Sequence, residues 1–252
     1  MSNYSIAEDY TLPSLGKVYS QNVNPNVKLR SMTTQDEMKR LAPSEHQYKN
    51  LCEIIDDCIL TDVGISSYDM CVADYQYLLT KLRIVTYGSE YRTTSTCPYC
   101  GIVNEIVHDL NNLEVTMCDI EEIKKYIEFD LPVSKKHIRI TLQTPRMLDE
   151  INKQNNELKR KSKGKATDAT FLYTMASLIT TVDGQNLDPV KKEQFINNLP
   201  MMDTNYIMKH AQKLVESFGI RSEFNNQCGL CGLDYNSSFR ITKEFFGPSI
   251  DI

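Results

Sequence analysis

The sequence has no run of about 18 consecutive apolar residues, the length that a helix needs to cross a membrane, so we expect no transmembrane helix. It also lacks an excess of positive charge, since 28 Lys and Arg stand against 33 Asp and Glu, a formal net charge of −5. Dedicated nucleic-acid-binding proteins usually carry a basic surface, and this balance argues against that class. Residues 1–10 are polar and acidic, which does not fit a signal peptide.

Signatures of catalysis are missing as well. The sequence contains no phosphate-binding loop, no dinucleotide-binding glycine turn, no G-x-S-x-G nucleophile elbow and no H-E-x-x-H motif. It has only four histidines, and none stands at a spacing typical of catalytic metal sites. We therefore expect neither an enzymatic activity nor a small-molecule substrate.

Cysteine is the residue type that carries the strongest pattern. Segments 97–101 and 228–232 read C-P-Y-C-G and C-G-L-C-G, so each places two thiols at i and i+3 and a glycine directly after them. This spacing lets a tight turn direct both sulfurs at one tetrahedral Zn²⁺, and glycine accepts the positive φ at which the turn leaves the metal. Four thiolates leave no open position for water or substrate, which predicts a structural zinc site. The predicted ligands are Cys97, Cys100, Cys228 and Cys231.

Two other interpretations of the cysteine pairs remain open, a thioredoxin-like redox pair and structural disulfides. A redox C-x-x-C pair needs a helix that starts at the first cysteine, in a βαβ setting. Here segments 91–96, 102–107 and 235–242 flank the pairs and are typical of short strands, which favours two hairpins with a metal-binding knuckle at each tip. His108 lies on such a strand, and we expect a surface histidine rather than a ligand.

The remaining cysteines are scattered among apolar positions. They fit small buried hydrophobic side chains in a reducing cytosol, where structural disulfides are rare. These residues are Cys52, Cys58, Cys71 and Cys118.

Hydrophobic periodicity divides the chain into five parts. Residues 1–33 form an extended N-terminal arm with a short strand, and 34–88 form a helical segment. Residues 89–143 hold the first half of the zinc ribbon and a small β module, 144–219 a helical insertion, and 220–252 the second half of the ribbon and a docking tail. The predicted fold class is α+β: a mainly helical body with a split four-cysteine zinc ribbon and extended terminal arms.

Several helix starts can be predicted from local capping signals. Capping-box spacing begins at Thr34 and at Ser44. Thr144 and Asp188 each precede a proline, an N-cap followed by proline at the first helical position. Asp203 is expected to open the last helix.

Two further segments suggest contacts with other molecules. Lys159 to Lys165 carries five basic residues in seven, which indicates either a nucleic-acid or acidic partner, or a solvated helix C-terminus followed by a loop. The pair Phe245-Phe246 in an apolar tail suggests docking, either within the chain or in the groove of a partner.

Several of these segments together resemble a known family. They are an L-P-S-x-G-x-x-Y segment (Leu12 to Tyr19), an L-R-x-M-T-T-x-x-E passage (Leu29 to Glu37), Tyr48-Lys49, the split ribbon, and F-F-x-P-S (Phe245 to Ser249). The chain is similar over essentially its whole length to the baseplate hub subunit and hub-assembly family of T4-like contractile-tailed bacteriophages. The first two segments are more specific than the ribbon, which occurs in many families.

The resemblance implies a structural or assembly component of the phage baseplate hub, without catalytic activity, whose partners are other baseplate or hub proteins. It would act in the host cytoplasm during assembly and could persist in the virion baseplate. An alternative is a nucleic-acid-binding zinc-ribbon factor of phage transcription or replication, and a redox or metal-handling enzyme is a third. The residues expected to contact a partner are Leu12, Pro13, Tyr19, Phe245 and Phe246.

Overall fold

The computed structural model describes residues 6–163, 168–238 and 243–246. Within them lie eight α-helices and five small antiparallel sheets. The helices are α1 (Thr34–Leu41), α2 (Gln47–Cys58), α3 (Val72–Tyr87), α4 (Ile120–Ile127), α5 (Pro145–Lys161), α6 (Thr170–Leu178), α7 (Pro189–Asn197) and α8 (Met201–Glu216). The strands are β1 (Ala7–Thr11), β2 (Asn26–Arg30), β3 (Glu90–Thr96), β4 (Val103–Asp109), β5 (Val115–Thr116), β6 (Glu128–Asp130), β7 (His137–Ile140), β8 (Ile179–Val182), β9 (Gly219–Ile220), β10 (Glu223–Gln227) and β11 (Asp234–Ser238).

A first hydrophobic core forms around α3, which is buried over most of its circumference. Strands β1 and β2 pair as an antiparallel hairpin, and this hairpin and α2 pack on α3. Val27 and Leu29 of β2 are 1% and 0% exposed. The segment predicted as an extended arm is therefore a hairpin within the core, because its alternating apolar residues bury one face.

The turn after β1 is fixed to α3 by a buried carboxylate. Asp74 Oδ1 accepts a hydrogen bond from the backbone N–H of Ser14 at 2.9 Å, and its Oδ2 accepts one from the Tyr19 hydroxyl at 2.6 Å. Burial raises the pKa of Asp74, so these donors help to hold a carboxyl group in an apolar setting. Gly16 has φ of 71°, and a Cβ there would lie 2.3 Å from the Val23 carbonyl oxygen. The L-P-S-x-G-x-x-Y segment thus encodes this turn.

A second hydrophobic core lies around the three-stranded sheet β6-β7-β8. Ile138 and Ile140 of the central strand are 0% and 1% exposed, and α4, α6, α7 and α8 contribute to the same core. The sequence did not predict α4, and it assigned residues 144–219, which include β8, to a helical insertion. Because β8 pairs with β7, the segment predicted as a helical insertion shares a sheet with the segment before it.

Helix starts agree with the local signals in two cases and differ in three. Thr144 and Asp188 cap α5 and α7 as predicted. The first capping box lies one residue earlier than expected, between Thr33 and Asp36. Asp203 lies inside the first turn of α8, which starts at Met201, and its buried carboxylate accepts hydrogen bonds from the N–H groups of residues 133 and 134.

Helix α2 starts at Gln47, but Ser44 does not cap it. Instead the carboxylate of Asp149, on α5, accepts hydrogen bonds from the N–H groups of Tyr48 (3.3 Å) and Lys49 (2.9 Å). Free N–H groups at a helix start need such an acceptor. The N-terminus of α2 is therefore completed by a residue one hundred positions later.

Across the described ranges, no helix combines the length and the apolar character required to cross a membrane.

Candidate metal centre

Two antiparallel hairpins carry the four predicted ligands. Strand β3 pairs with β4, from Glu90 opposite Asp109 to Thr96 opposite Val103, and the first cysteine pair lies in the turn between them. Strand β10 pairs with β11, from Glu223 opposite Ser238 to Gln227 opposite Asp234, and the second pair lies in that turn. Neither first cysteine starts a helix, which is unlike a thioredoxin-type redox pair.

The two turns have the same backbone hydrogen bonds. Cys97 N–H donates to the Ile102 carbonyl (2.8 Å), and Cys228 N–H donates to the Leu233 carbonyl (3.0 Å). The glycine after each pair donates back to the carbonyl of the first cysteine, at 3.0 Å and 2.9 Å. These glycines have φ of 74° and 70°, the left-handed conformation that C-x-x-C-G predicts. The knuckles are therefore two copies of one local structure.

The topology brings the four cysteine sulfurs together. All four Sγ atoms lie within 4.8 Å of one another, with Cys97 to Cys231 at 3.7 Å and Cys100 to Cys228 at 3.6 Å. Four thiolates at about 2.3 Å from one Zn²⁺ would stand about 3.8 Å apart, whereas a disulfide needs about 2.05 Å. All eight cysteines are free. The donor set thus has the dimensions of a tetrahedral thiolate site and could bind a metal ion.

Backbone N–H groups in the turns point at the sulfurs. The N–H of Cys231, and also that of Leu230, hydrogen-bond to the Cys228 sulfur and hold the pKa of this thiol below its ordinary value. Donors to the charged form favour thiolate over thiol. Because metals bind the thiolate, these two donors favour at Cys228 the form that a metal ion needs.

Asn104 joins the two hairpins beside the cluster. Its side-chain oxygen accepts a hydrogen bond from Gly229 N–H (3.1 Å), and its Nδ2 donates to the Tyr235 hydroxyl (3.2 Å) and lies 3.7 Å from the Cys228 sulfur. An asparagine four residues after Cys100 gives no recognisable motif in the sequence. It was therefore missed, although it holds the second knuckle against the first.

His108 is not a surface residue, contrary to the sequence prediction. It is 7% exposed, its ring stacks on Phe224 at 3.7 Å between centroids, and its Nε2 lies 3.0 Å from Thr93 Oγ1. Burial lowers the pKa of His108. The prediction that it is not a metal ligand agrees with the cluster, which contains only cysteines among the described residues.

The other four cysteines are buried, as predicted. Cys52, Cys58, Cys71 and Cys118 are between 0% and 6% exposed. Burial raises the pKa of the first three to about 12, so they remain protonated and weakly nucleophilic. They serve as apolar packing residues.

The five residues expected to contact a partner lie against the body of the chain itself. Leu12, Phe245 and Phe246 are 0%, 0% and 1% exposed, Pro13 is buried, and Tyr19 is partly buried. For Phe245 and Phe246 the structure shows docking within the chain, one of the two alternatives. A contact with a partner stays a prediction for these residues, and it would require their release from the core.

The basic run at the end of α5 is partly paired with acidic side chains. Lys159 lies 2.8 Å from Asp168, and Lys161 lies 3.7 Å from Glu157. Lys165 lies outside the described residues. This pairing fits the solvated helix C-terminus better than a free anion-binding patch.

Comparison with known proteins identifies the family. The model of a family described as T4 bacteriophage base plate protein matches residues 3–247, which include both hairpins and both hydrophobic cores. No curated protein and no solved structure matches the chain. The family match supports a structural role in a phage baseplate, and it does not distinguish the hub from other parts of that assembly. The chain belongs to the T4 bacteriophage base plate protein family.

Proposed function

We propose that the chain is a structural or assembly component of the hub region of a contractile-tail baseplate and acts through protein–protein contacts. Family membership supports the baseplate role. The hub is supported by the likeness of Leu12–Tyr19 and Leu29–Glu37 to the hub subunit and hub-assembly proteins. The protein would meet its partners in the host cytoplasm during assembly, and the finished virion is a second location.

The cluster of four cysteine sulfurs is the observation that carries the structural part of this proposal. Cys97, Cys100, Cys228 and Cys231 offer four thiolates and nothing else, a donor set that suits Zn²⁺ and leaves no open coordination position. When bound, Zn²⁺ would cross-link the hairpins β3–β4 and β10–β11. Its role would be to fix a shape rather than to activate water.

Exposed apolar side chains support protein contacts as the mode of action. Met38 and Leu41 on α1, and Met201 and Met202 on α8, are each more than 60% exposed. Apolar residues grouped on a surface are typical of interaction sites. The net charge of −5 and the paired lysines of α5 do not favour the nucleic-acid alternative.

The test is affinity capture of the tagged full-length chain from phage-producing cells, with nuclease treatment, mass spectrometry and zinc analysis. We expect hub proteins, and one zinc per chain, in the captured complexes. A tagged tail-sheath protein is the control for general recovery of tail parts. Recovery of polymerase subunits or nuclease-sensitive nucleic acid in place of hub proteins would overturn the proposal. Comparing captured intermediates with purified virions then shows whether the chain stays in the particle.

A further inference from the structure

The two knuckles expose large apolar side chains at equivalent positions. Tyr99 and Leu230 each lie between the two cysteines of a pair, and they are 62% and 68% exposed. Ile102 and Leu233 each lie two residues after the second cysteine, and they are 40% and 50% exposed. Every one of them is within two residues of a predicted ligand, and the four sulfurs lie within 4.8 Å of one another, so all four side chains lie near the cluster. We call these four residues the knuckle surface.

The sequence around the knuckle surface carries no ionic side chain. Residues 93–104 and 225–233 contain no Asp, Glu, Lys or Arg, although charged residues make up 24% of the whole chain. Solubility alone would favour charges at exposed hairpin tips, so their absence from both tips is unusual. Interfaces are depleted in charged residues at their centre and enriched in aromatic residues such as Tyr99.

With zinc bound, the cysteine cluster beside the knuckle surface would itself be charged. Four thiolates around one Zn²⁺ carry a net charge of −2, and the two tips supply no Lys or Arg to balance it. Within the knuckles, backbone N–H groups such as that of Cys231, which points at the Cys228 sulfur, offset part of this negative charge. A partner that places a Lys or Arg side chain near these thiolates would therefore bind more favourably than a partner without one.

We propose that the knuckle surface docks another baseplate protein, through an apolar patch of that partner with a Lys or Arg opposite the thiolates. This inference rests on the proposed function, because it takes zinc and a baseplate partner as given. A second copy of this chain is a poor occupant, since face-to-face contact would bring two centres of like charge together. The phosphates of a nucleic acid would meet the same repulsion.

The experiment measures binding of the zinc-loaded full-length chain to each baseplate protein of the phage that encodes it, purified singly. In the double variant Tyr99→Ser with Leu230→Ser, we expect affinity for the docking partner to fall by about tenfold or more. Both side chains are exposed, so zinc content and thermal stability should stay at the wild-type level. The matched control is Phe171→Ser with Val190→Ser, a pair on α6 and α7 that is 52% and 65% exposed and should bind normally.

A second pair of variants tests the charge of the partner. Leu230→Lys should weaken binding more than Leu230→Glu does, because a lysine there would face the partner's cation. Equal effects of the two would overturn the predicted basic residue, and wild-type binding by the double serine variant would overturn the docking surface. A change confined to self-association in ultracentrifugation would assign the surface to a second copy instead.

The outcomes also separate this inference from the function on which it rests. If the wild-type chain holds no zinc or binds no baseplate protein, both the proposed function and the docking surface fail. If it holds zinc and binds a partner that the double serine variant binds equally well, only the docking surface fails.

Discussion

The side-chain oxygen of Asn104 accepts a hydrogen bond from the backbone N–H of Gly229, at 3.1 Å. One residue belongs to the first hairpin and the other to the second, so this bond crosses between the two halves of the cysteine cluster. Nδ2 of the same asparagine reaches Tyr235 and approaches the Cys228 sulfur. Mutation of groups that orient metal ligands in this way typically lowers metal affinity by about 10- to 100-fold.

Replacing this asparagine should weaken the metal site without removing a ligand. We expect Asn104→Ala to lower zinc affinity by about 10- to 100-fold, since three contacts between the hairpins are lost. Competition with a chromophoric chelator measures the change. Asn225→Ala, at an exposed position of β10, is the matched control and should keep wild-type affinity. Equal affinities for the two variants would show that the cross-link does not support the site.

Loss of one ligand should abolish the centre. Cys97→Ser is expected to reduce bound zinc from about one per chain to none and to lower the melting temperature, because structural zinc contributes directly to folding. Cys118→Ser alters a buried cysteine of the second core and should keep its zinc. Atomic emission on both purified variants, with calorimetry before and after chelation of the wild type, provides the measurement. A full equivalent of zinc in Cys97→Ser would contradict the four-thiolate site.

The cap that α5 provides to α2 should contribute to global stability. Asp149→Ala leaves the N–H groups of Tyr48 and Lys49 without their acceptor, so we expect the free energy of unfolding to fall by about 2 kcal/mol. Urea denaturation gives this value. Asn152→Ala, an exposed position on the same helix, should change it by less than about 0.5 kcal/mol. A loss of the same size in both variants would show that the cap does not account for it, because alanine is the better helix former at both positions.

Asp36 should make stability depend on pH in the acid range. Burial opposes its ionisation, but hydrogen bonds from Arg30 and Thr33 outweigh this and lower the pKa of Asp36 to about 2, from 3.8. Since the folded-state pKa is depressed, the stabilisation is complete above about pH 4 and is lost as pH falls through about 2.

The variant Asp36→Asn tests this dependence. It should be less stable than the wild type by about 2 kcal/mol at pH 6, and the gap should close toward pH 2. Urea denaturation of both proteins at a series of pH values measures this difference in the free energy of unfolding. Asp57→Asn removes an exposed ion pair with Lys39 and should cost less than about 1 kcal/mol at any of these pH values. A gap for Asp36→Asn that does not change with pH would rule out the titration of this carboxyl as its cause.

The tail contributes to the first core through Phe245. Its ring is 0% exposed, lies 5.1 Å from Tyr91 and 5.6 Å from Phe246, and has the Arg83 guanidinium 6.0 Å above it. Phe245→Ala should therefore reduce the free energy of unfolding by about 3–5 kcal/mol. Phe171→Ala, at a site that is 52% exposed, is the size-matched control and should have a small effect. Equal small effects would show that the tail docks only loosely.

The elements predicted correctly are those whose signals are local. The knuckle turns follow from C-x-x-C-G, and the starts of α5 and α7 follow from Thr144-Pro145 and Asp188-Pro189, because cap and proline act on their own helix. The strands on both sides of each knuckle follow from their composition. Which four of the eight cysteines meet was predictable for the same reason, since the spacing within each pair marks them.

The features that the sequence did not predict depend mainly on contacts between residues that lie far apart in the chain. The eight residues of α4 are too few for a clear period, and the cap of α2 comes from Asp149 on another helix. His108 alternates like a surface residue, but its ring stacks on Phe224, which lies more than one hundred residues later in the chain. Likewise, the apolar pair Phe245-Phe246 indicates that both rings are buried, but it does not identify the part of the chain on which they pack.

The two halves of the cysteine cluster leave the ribosome at different times. Residues 101–227 are synthesised between them, and at roughly 5–20 residues per second the first pair waits on the order of ten seconds for the second. Over that interval Cys97 and Cys100 can offer a metal ion only half of its coordination shell. A chain truncated before residue 231 would never close the cluster, nor present the knuckle surface. The cysteine cluster can therefore close only late in synthesis, which restricts the proposed knuckle contacts to chains that have been translated past both cysteine pairs.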